Sequence, residues 1–179
     1  AVEVSPNGRF LVIGSEDNDA ELVIVALDGE GQLGEVRSFD LPLSFQPDDA
    51  EKRTRVIHPS PNGRTLAVNV ANKRVQFFDL TIDETGIPSG VLQVGDVVDV
   101  GVRLAVGRWS LDGRHFIITD VNGYDSTFAM LTQMGGQVHS LRAPVEEQSS
   151  GLVSSVRVGR FAEGLEISHS GTRLASIAM

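Results

Sequence analysis

One nine-residue pattern occurs four times in the sequence, and it constrains the fold more than any other feature. Its clearest copy is Ser60–Val68, SPNGRTLAV, in which a polar turn is followed directly by an apolar run. The other copies begin at Ser5, Ser110 and Ser168, so that successive copies are about 50 to 58 residues apart. A recurrence at a nearly fixed period predicts repeated structural units, each packed against its neighbours.

The polar part of each copy predicts a tight turn between two strands. Pairs such as Asn62-Gly63 and Asp112-Gly113 allow a residue with positive φ, which a tight reversal requires. The leading serine can bond the amides of the turn, and a proline in second place fixes φ. The run that follows is rich in β-branched and aromatic residues, as in Phe116–Thr119, and therefore predicts a strand.

Further strands are predicted at similar distances around each turn. A polar break precedes the next predicted strands, which are Leu22–Leu27, Val75–Leu80 and Thr127–Leu131. A turn with glycine then leads to a weaker closing strand, at Glu35–Phe39, Val91–Val94 and Val138–Leu141. The strands that lead into the later turns are Thr54–His58, Arg103–Trp109 and Phe161–Ile167. No stretch of ten residues has a 3.6-residue apolar period with caps, so we expect very little helix.

Four short strands per period predict an all-β fold made of β-propeller blades, each a sheet of four antiparallel strands. The approximate units are 1–50, 51–100, 101–156 and an incomplete 157–179, all within a single domain. About three and a half blades are therefore expected, in an incomplete ring. A β-sandwich is the alternative, because many short strands with turn signals also suit it. The same turn at the same point of each unit favours the propeller.

Composition excludes several kinds of partner. The net charge is −9 and the pI about 4.8, a field that repels phosphate backbones, so no nucleic acid is expected. No run of eighteen apolar residues exists, so no membrane-spanning segment is predicted. The absence of cysteine excludes disulfides and thiolate metal sites.

A polar residue stands two places before each repeat serine and is flanked mostly by apolar residues. These candidate catalytic residues are Glu3, His58, Arg108 and Glu166. In a propeller the strand that carries them is the innermost, so the four side chains are expected to converge at one depth of the central channel. Arg108 can hold a carboxylate or phosphate there, and Glu3, Glu166 or His58 can move a proton. The alternative is that a wet channel wall simply needs polar residues.

The repeat also carries a resemblance. Ser60–Val68 followed by Val75–Leu80, together with Gly164–Ser168, resembles the YVTN-type and lactonase-like seven-bladed β-propellers. That resemblance implies hydrolysis of a ring ester through Glu, His and Arg groups at the channel. The sequence differs from these families in length. At about 50 to 58 residues per repeat, a seven-bladed ring needs roughly twice as many residues as this sequence has. We therefore expect open ends that pair with another copy or with residues beyond those given.

No cofactor is predicted, and the one candidate metal site is an acidic loop. Asp17, Asp19 and Glu21 alternate along it, and their oxygens suit calcium, although a solvated acidic turn explains the same residues. No pair of histidines has zinc-ligand spacing, and neither a nucleophile elbow nor a phosphate-binding loop is present. Trp109 falls on the apolar face of its strand and is predicted to lie in the core between blades.

Two functions remain after the sequence analysis. The first is a binding or interaction propeller with an unknown ligand, and the alternative is a lactonase-like hydrolase that uses the four channel residues. Convergence of those side chains on one solvent-filled cavity favours the hydrolase, whereas divergence or an ion pair that occupies one of them counts against it. Expected partners are a protein, a second copy bound through open blade edges near Val2 and Leu174–Met179, or a small-molecule ligand in the channel.

Overall fold

A computed structural model of the protein describes residues 2–14, 21–47, 49, 57–101, 103–121, 136–144, 149–158 and 162–178. The regular secondary structure of these residues is β-strand throughout, which confirms the all-β prediction. In the same ranges no helix is long and apolar enough to cross a bilayer.

The described strands form four antiparallel sheets, in which the strands pair in chain order. The first sheet contains β1 (Val2–Val4), β2 (Phe10–Gly14), β3 (Glu21–Leu27) and β4 (Leu33–Asp40). The second contains β5 (Ile57–Pro59), β6 (Thr65–Val70), β7 (Arg74–Ile82) and β8 (Pro88–Asp99). The third contains β9 (Leu104–Trp109), β10 (His115–Asp120), β11 (Gln137–Arg142) and β12 (Gly151–Arg157). The fourth has two described strands, β13 (Ala162–Ile167) and β14 (Leu174–Ala178).

The four repeated turns share one geometry and join the first two strands of each sheet. Gly8, Gly63, Gly113 and Gly171 have φ between 68° and 71°, a region that side chains disfavour. Each of these glycine amides donates to the carbonyl oxygen of the serine three residues earlier, at 2.8–2.9 Å. The serine Oγ accepts from the amide five residues on, at 2.9–3.0 Å. The predicted turn chemistry is therefore confirmed in all four copies.

The core lies between the sheets. Aliphatic residues and Phe10 of the first sheet pack against Phe78 and its neighbours in the second sheet. Phe77 of the second sheet packs against Trp109 and Phe116 of the third, so Trp109 lies in the core as predicted. Successive four-stranded sheets that bury their faces against each other are the blades of a β-propeller, and the described sheets form part of one.

The third sheet corrects one prediction. Val138–Leu141 was expected to close this sheet, but it lies within β11, the third strand, and β12 is the outermost strand. The sequence does not predict β12, because Ser149 and Ser150 before it and Gly151 at its start are typical of a loop. The predicted strand Thr127–Leu131 lies outside the described residues.

The second sheet shows a further difference. The predicted Val91–Val94 lies within the twelve-residue β8, which pairs with β7 on both sides of a register shift between Val94 and Val98. Gly95, with a φ of 66°, lies in this irregularity, where a glycine in the left-handed region is typical of a β-bulge.

Candidate functional site: the polar residues of the inner strands

The first strand of each sheet carries one of the four predicted site residues. β1, β5, β9 and β13 are edge strands of their sheets, and they contact one another in that order. Glu3, His58, Arg108 and Glu166 occupy the same place on these strands, two residues before the turn serine. The repeated turn thus sets the register that brings the four side chains to neighbouring positions.

Glu3 and His58 form the first of two pairs. The distance from Nδ1 of His58 to Oε1 of Glu3 is 3.1 Å. Burial, together with the positive charge of Arg108, lowers the pKa of His58 to about 4, so the imidazole is neutral near pH 7. In the tautomer that a nearby carboxylate favours, the proton is on Nδ1, facing Glu3, and Nε2 is left as a hydrogen-bond acceptor. Burial also raises the pKa of Glu3, and the charge of Arg108 partly opposes this shift.

Arg108 and Glu166 form the second pair. Nη2 of Arg108 donates to Oε1 of Glu166 at 3.2 Å, and Nη1 donates to the carbonyl oxygen of Gly107 at 2.9 Å. The two side chains are 38% and 74% exposed. An ion pair this open to water is worth little, about 0–1 kcal/mol, so a ligand anion can compete with Glu166 for the guanidinium.

Aromatic side chains fix His58 in place. Nε1 of Trp109 donates to the carbonyl oxygen of His58 at 2.8 Å, and the Phe116 ring lies 6.0 Å from the imidazole between centroids. The Phe116 ring packs directly on Gly107. A β-carbon at this glycine would lie 2.2 Å from Cζ of Phe116, so the ring could not take this position beside a larger residue. The sequence analysis placed Trp109 in the core but missed its contact with the site. A buried tryptophan generally needs a partner for its N–H, and this requirement was the available signal.

The structure thus brings together the four residues singled out from the sequence, in two pairs. Arg108 is ion-paired, which is the condition that the sequence analysis counted against catalysis. Its guanidinium is nevertheless partly exposed, and its charge acts on both members of the other pair. The catalytic role of the four residues remains a prediction.

A second polar cluster lies in the third sheet, and sequence reasoning did not find it. Nδ1 of the buried His139 lies 2.7 Å from Oγ of Ser155, and its Nε2 lies 3.8 Å from Oδ2 of the buried Asp120. Asp120 accepts the Arg103 amide at 2.9 Å. These are cross-strand neighbours of β10, β11 and β12. A distance of 3.8 Å is too long for a hydrogen bond between His139 and Asp120. Ser155, His139 and Asp120 therefore do not form the hydrogen-bonded triad that activates a catalytic serine.

The predicted calcium site lies outside the part of the chain that the structure describes. Asp17 and Asp19 lie outside the described residues, as does the side chain of Glu21. Among the side chains that the structure does describe, no group of three or more His, Asp or Glu residues is arranged to hold a metal ion.

Sequence comparisons give no family for the chain. No protein-family model matches the sequence. None of the curated proteins matches it.

Solved structures resemble the chain in fold. A periplasmic gluconolactonase from Pseudomonas aeruginosa is 20% identical with a TM-score of 0.61, over 99% of this chain and 42% of that one. A putative 6-phosphogluconolactonase from Bacteroides uniformis is 12% identical with a TM-score of 0.53, over 99% of this chain and 62% of that one. The Cps50 (Swd1) β-propeller domain of Myceliophteria thermophila is 13% identical with a TM-score of 0.60, over 98% of this chain and 51% of that one.

The chain therefore spans between 42% and 62% of the length of these three proteins. Sequence identities this low show that the fold is shared but do not show a shared activity, because one fold supports many functions. The chain is part of a β-propeller, and the solved structures that it resembles include a gluconolactonase and a Swd1 propeller domain.

Proposed function

We propose that the protein is a β-propeller binding domain that takes a small anionic ligand at the inner strands β1, β5, β9 and β13. The observation that supports this proposal most directly is the solvent exposure of the Arg108 guanidinium and of its ion-pair partner. Its guanidinium is 38% exposed, and its carboxylate partner Glu166 is mostly in water. A planar guanidinium with accessible N–H groups suits a carboxylate or phosphate, which it can bind through two parallel hydrogen bonds.

The pair beside Arg108 supports a ligand that also carries hydroxyl groups. With the proton on Nδ1, the nitrogen 3.1 Å from the Glu3 carboxylate, Nε2 of the imidazole can accept a hydrogen bond from a ligand hydroxyl. The lowered pKa keeps His58 neutral, so this acceptor persists throughout the physiological pH range. A hydroxylated acid therefore matches the two pairs better than a simple anion does.

Calorimetric titration with gluconate and with 6-phosphogluconate tests the proposal. We expect Arg108→Gln to weaken binding at least about tenfold, since a charge-assisted bidentate contact is lost. Arg142→Gln removes the same charge from an exposed position on β11 and should leave the affinity unchanged. Equal losses in the two variants, or no binding of either probe by the unmodified protein, would contradict the proposal.

A lactonase-like hydrolase is the second candidate, and the neutral His58 beside Arg108 is the observation that favours it. In this reaction Nε2 takes a proton from water as the water oxygen bonds to the lactone carbonyl carbon. Arg108 stabilises the resulting oxyanion, the ring C–O bond breaks, and the leaving oxygen takes up a proton to give the hydroxy acid. The likeness to proteins described as gluconolactonases supports this candidate. It ranks second because a pKa of about 4 makes His58 a weak base.

Hydrolysis of δ-gluconolactone in a pH-stat, corrected for the spontaneous reaction, tests the second candidate. If His58 is the base, the enzymatic rate rises with pH through about 4 and then stays level. His58→Gln and Arg108→Gln should each lower turnover by about 100-fold or more. Unchanged turnover in both variants would end this assignment, whatever the outcome of the binding experiment.

A further inference from the structure

The inner strand β9 contains a β-bulge just before Arg108. Its pairing with β10 is regular from Trp109 back to Gly107 and then shifts by one residue. Two residues of β9, Ala105 and Val106, consequently lie opposite a single residue of β10. An extra residue in one strand bends that strand and changes the direction of nearby side chains. The bulge is therefore placed to direct Arg108.

The bulge allows both ends of β9 to face one core. Leu104 and Trp109 are buried in the same apolar cluster, together with Phe77 of the second sheet. They are five residues apart, and strict alternation would place them on opposite faces of the strand. The extra residue removes this conflict. Its location in the strand decides whether Arg108 faces Glu166, as observed, or turns towards the core.

The side chain of Thr119 on β10 holds the bulge where it is. Its Oγ1 accepts a hydrogen bond from the Val106 amide at 3.1 Å and donates to the Val106 carbonyl oxygen at 3.4 Å. These bonds take the place of the ladder hydrogen bonds that a bulge interrupts. Thr119 is fully buried, so loss of its hydroxyl would leave the Val106 amide without this acceptor in a place that water does not readily reach.

Among the described sheets, this hydroxyl is found in the third alone. The residues nine places after the repeat serines are Gly14, Asn69, Thr119 and Ile177. Asn69 directs its amide nitrogen to the carbonyl oxygen of Arg74 on the neighbouring β7, at 3.5 Å. Ile177 has no hydrogen-bonding side chain, although the pairing of β13 with β14 also contains a register shift. The sheet that carries the arginine of the site is thus the one whose bulge is held by a hydroxyl.

We propose that Thr119 is a positioning residue of the ligand site, and that its hydroxyl holds the β9 bulge so that the Arg108 guanidinium faces the inner-strand pairs. The carbonyl oxygen of Gly107, the first regularly paired residue beyond the bulge, accepts a hydrogen bond from Nη1 of Arg108 at 2.9 Å. A displaced bulge moves this carbonyl and the guanidinium with it. The effect on a ligand rests on the proposed function, whereas the effect on His58 does not.

The charge of Arg108 provides a measurement that needs no ligand. Burial lowers the pKa of His58 most, and the positive charge of Arg108 lowers it further, to about 4. In the described part of the chain, the charged groups that act on the imidazole are Glu3 on β1 and Arg108 on β9. A guanidinium that turns away raises the pKa of His58, because the positive charge that disfavours the imidazolium recedes.

Titration of the His58 imidazole by proton NMR tests the proposal, with its signal identified by absence from His58→Gln. Arg108→Gln shows the full effect of the charge. Thr119→Val keeps a branched side chain without the hydroxyl, and it should raise the pKa of His58 in the same direction. Thr119→Ser keeps the hydroxyl and should leave the pKa near 4. Ile118→Val trims the core on the opposite face of β10 and should also leave it unchanged.

Calorimetry with 6-phosphogluconate gives a second measurement. Thr119→Val should weaken binding by about threefold to tenfold, the value of one hydrogen bond and less than the loss in Arg108→Gln. Thr119→Ser should bind like the unmodified protein. If the unmodified protein binds neither this probe nor gluconate, the proposed function fails, and the His58 titration still decides the role of Thr119.

Two results would overturn the proposal. One is an unchanged pKa of His58 in a folded Thr119→Val variant. The other is an equal rise in Ile118→Val, which would indicate a general loosening of the third sheet. Circular dichroism shows whether Thr119→Val keeps its β-sheet. If it unfolds, Thr119→Cys replaces it, because a thiol is a small side chain with only a weak acceptor, and the same two results decide.

Discussion

The first and second sheets are built from the same turn but are covered differently. Ser5 and Ser60 are equally buried, and their Oγ atoms accept the same amide bond at 3.0 Å. The second sheet packs against a sheet on each face, whereas β1 lies open. The exposure of the polar site residues differs in the same way: the His58 side chain in the second sheet is 13% exposed, and the Glu3 side chain in the first is 39% exposed. The turn is therefore set by a few adjacent residues, while burial and charge state are set by the neighbouring sheet.

The largest expected effect is a loss of core packing in the doubly covered sheet. Phe77 is fully buried against Trp109 and Phe116. Phe77→Ala should lower the free energy of unfolding by about 3–5 kcal/mol, because a cavity remains in the core. Val36→Ala on the exposed outer strand of the first sheet should cost less than about 0.5 kcal/mol. Urea denaturation measures both, and similar losses would contradict the packing of Phe77 in the core.

The second effect is a pH dependence that originates from the covered position. The folded pKa of His58, about 4, lies below its value of 6.5 in the unfolded chain. The unfolded state therefore binds a proton first, and stability falls as the pH drops from 6.5 towards 4, by up to about 3 kcal/mol. Free energies of unfolding measured in this range should fall less steeply for His58→Gln than for the unmodified protein.

Glu3 acts in the opposite direction on the more open sheet. Its folded pKa is raised, so the folded state gains stability as the pH falls through that value. The comparison of the unmodified protein with His58→Gln is therefore clearest between pH 6.5 and about 5, above the ordinary carboxyl range. Parallel pH profiles in that interval would show that His58 is as accessible as a surface histidine.

A smaller effect tests the similarity of the two turns. Ser5→Ala and Ser60→Ala each remove the acceptor of a turn amide, so each should cost about 1 kcal/mol. Since both hydroxyls are equally buried, the losses should agree within about 0.5 kcal/mol in chemical denaturation. A much larger loss for Ser60 would mean that the neighbouring sheet, as well as the local chain, sets the turn.

The smallest effect concerns the open face itself. Val2 is mostly exposed, so Val2→Ala should change the stability of an isolated chain by less than about 0.5 kcal/mol. Urea denaturation measures the change, and a loss above about 1 kcal/mol would show that Val2 is covered in the folded protein.

The features that could be predicted from the sequence are those that depend on residues close together in the chain. Ser60, Asn62 and Gly63 are sufficient to specify a turn, and the turn register then placed His58 and Arg108 correctly on their strands. Alternation of apolar and polar residues also placed Trp109 in the core.

The remaining features depend on residues distant in the chain. β12 forms because β11 offers it hydrogen-bond partners, although its own sequence, GLVSSVR, is only weakly strand-like. The neutrality of His58 depends on burial by Phe116 and on the charge of Arg108, which is 50 residues further on. No local pattern around His58 contains either cause, so its pKa could not be read from the sequence.

The hydrogen bond from Trp109 to the His58 carbonyl has a practical consequence. Trp109 is the only tryptophan in the sequence, and its indole joins the third sheet to the His58 backbone in the second. Its fluorescence emission therefore reports on this one location without any label. A ligand that shifts His58, or a separation of the two sheets, should change the emission maximum, so one optical signal can follow both occupancy and opening.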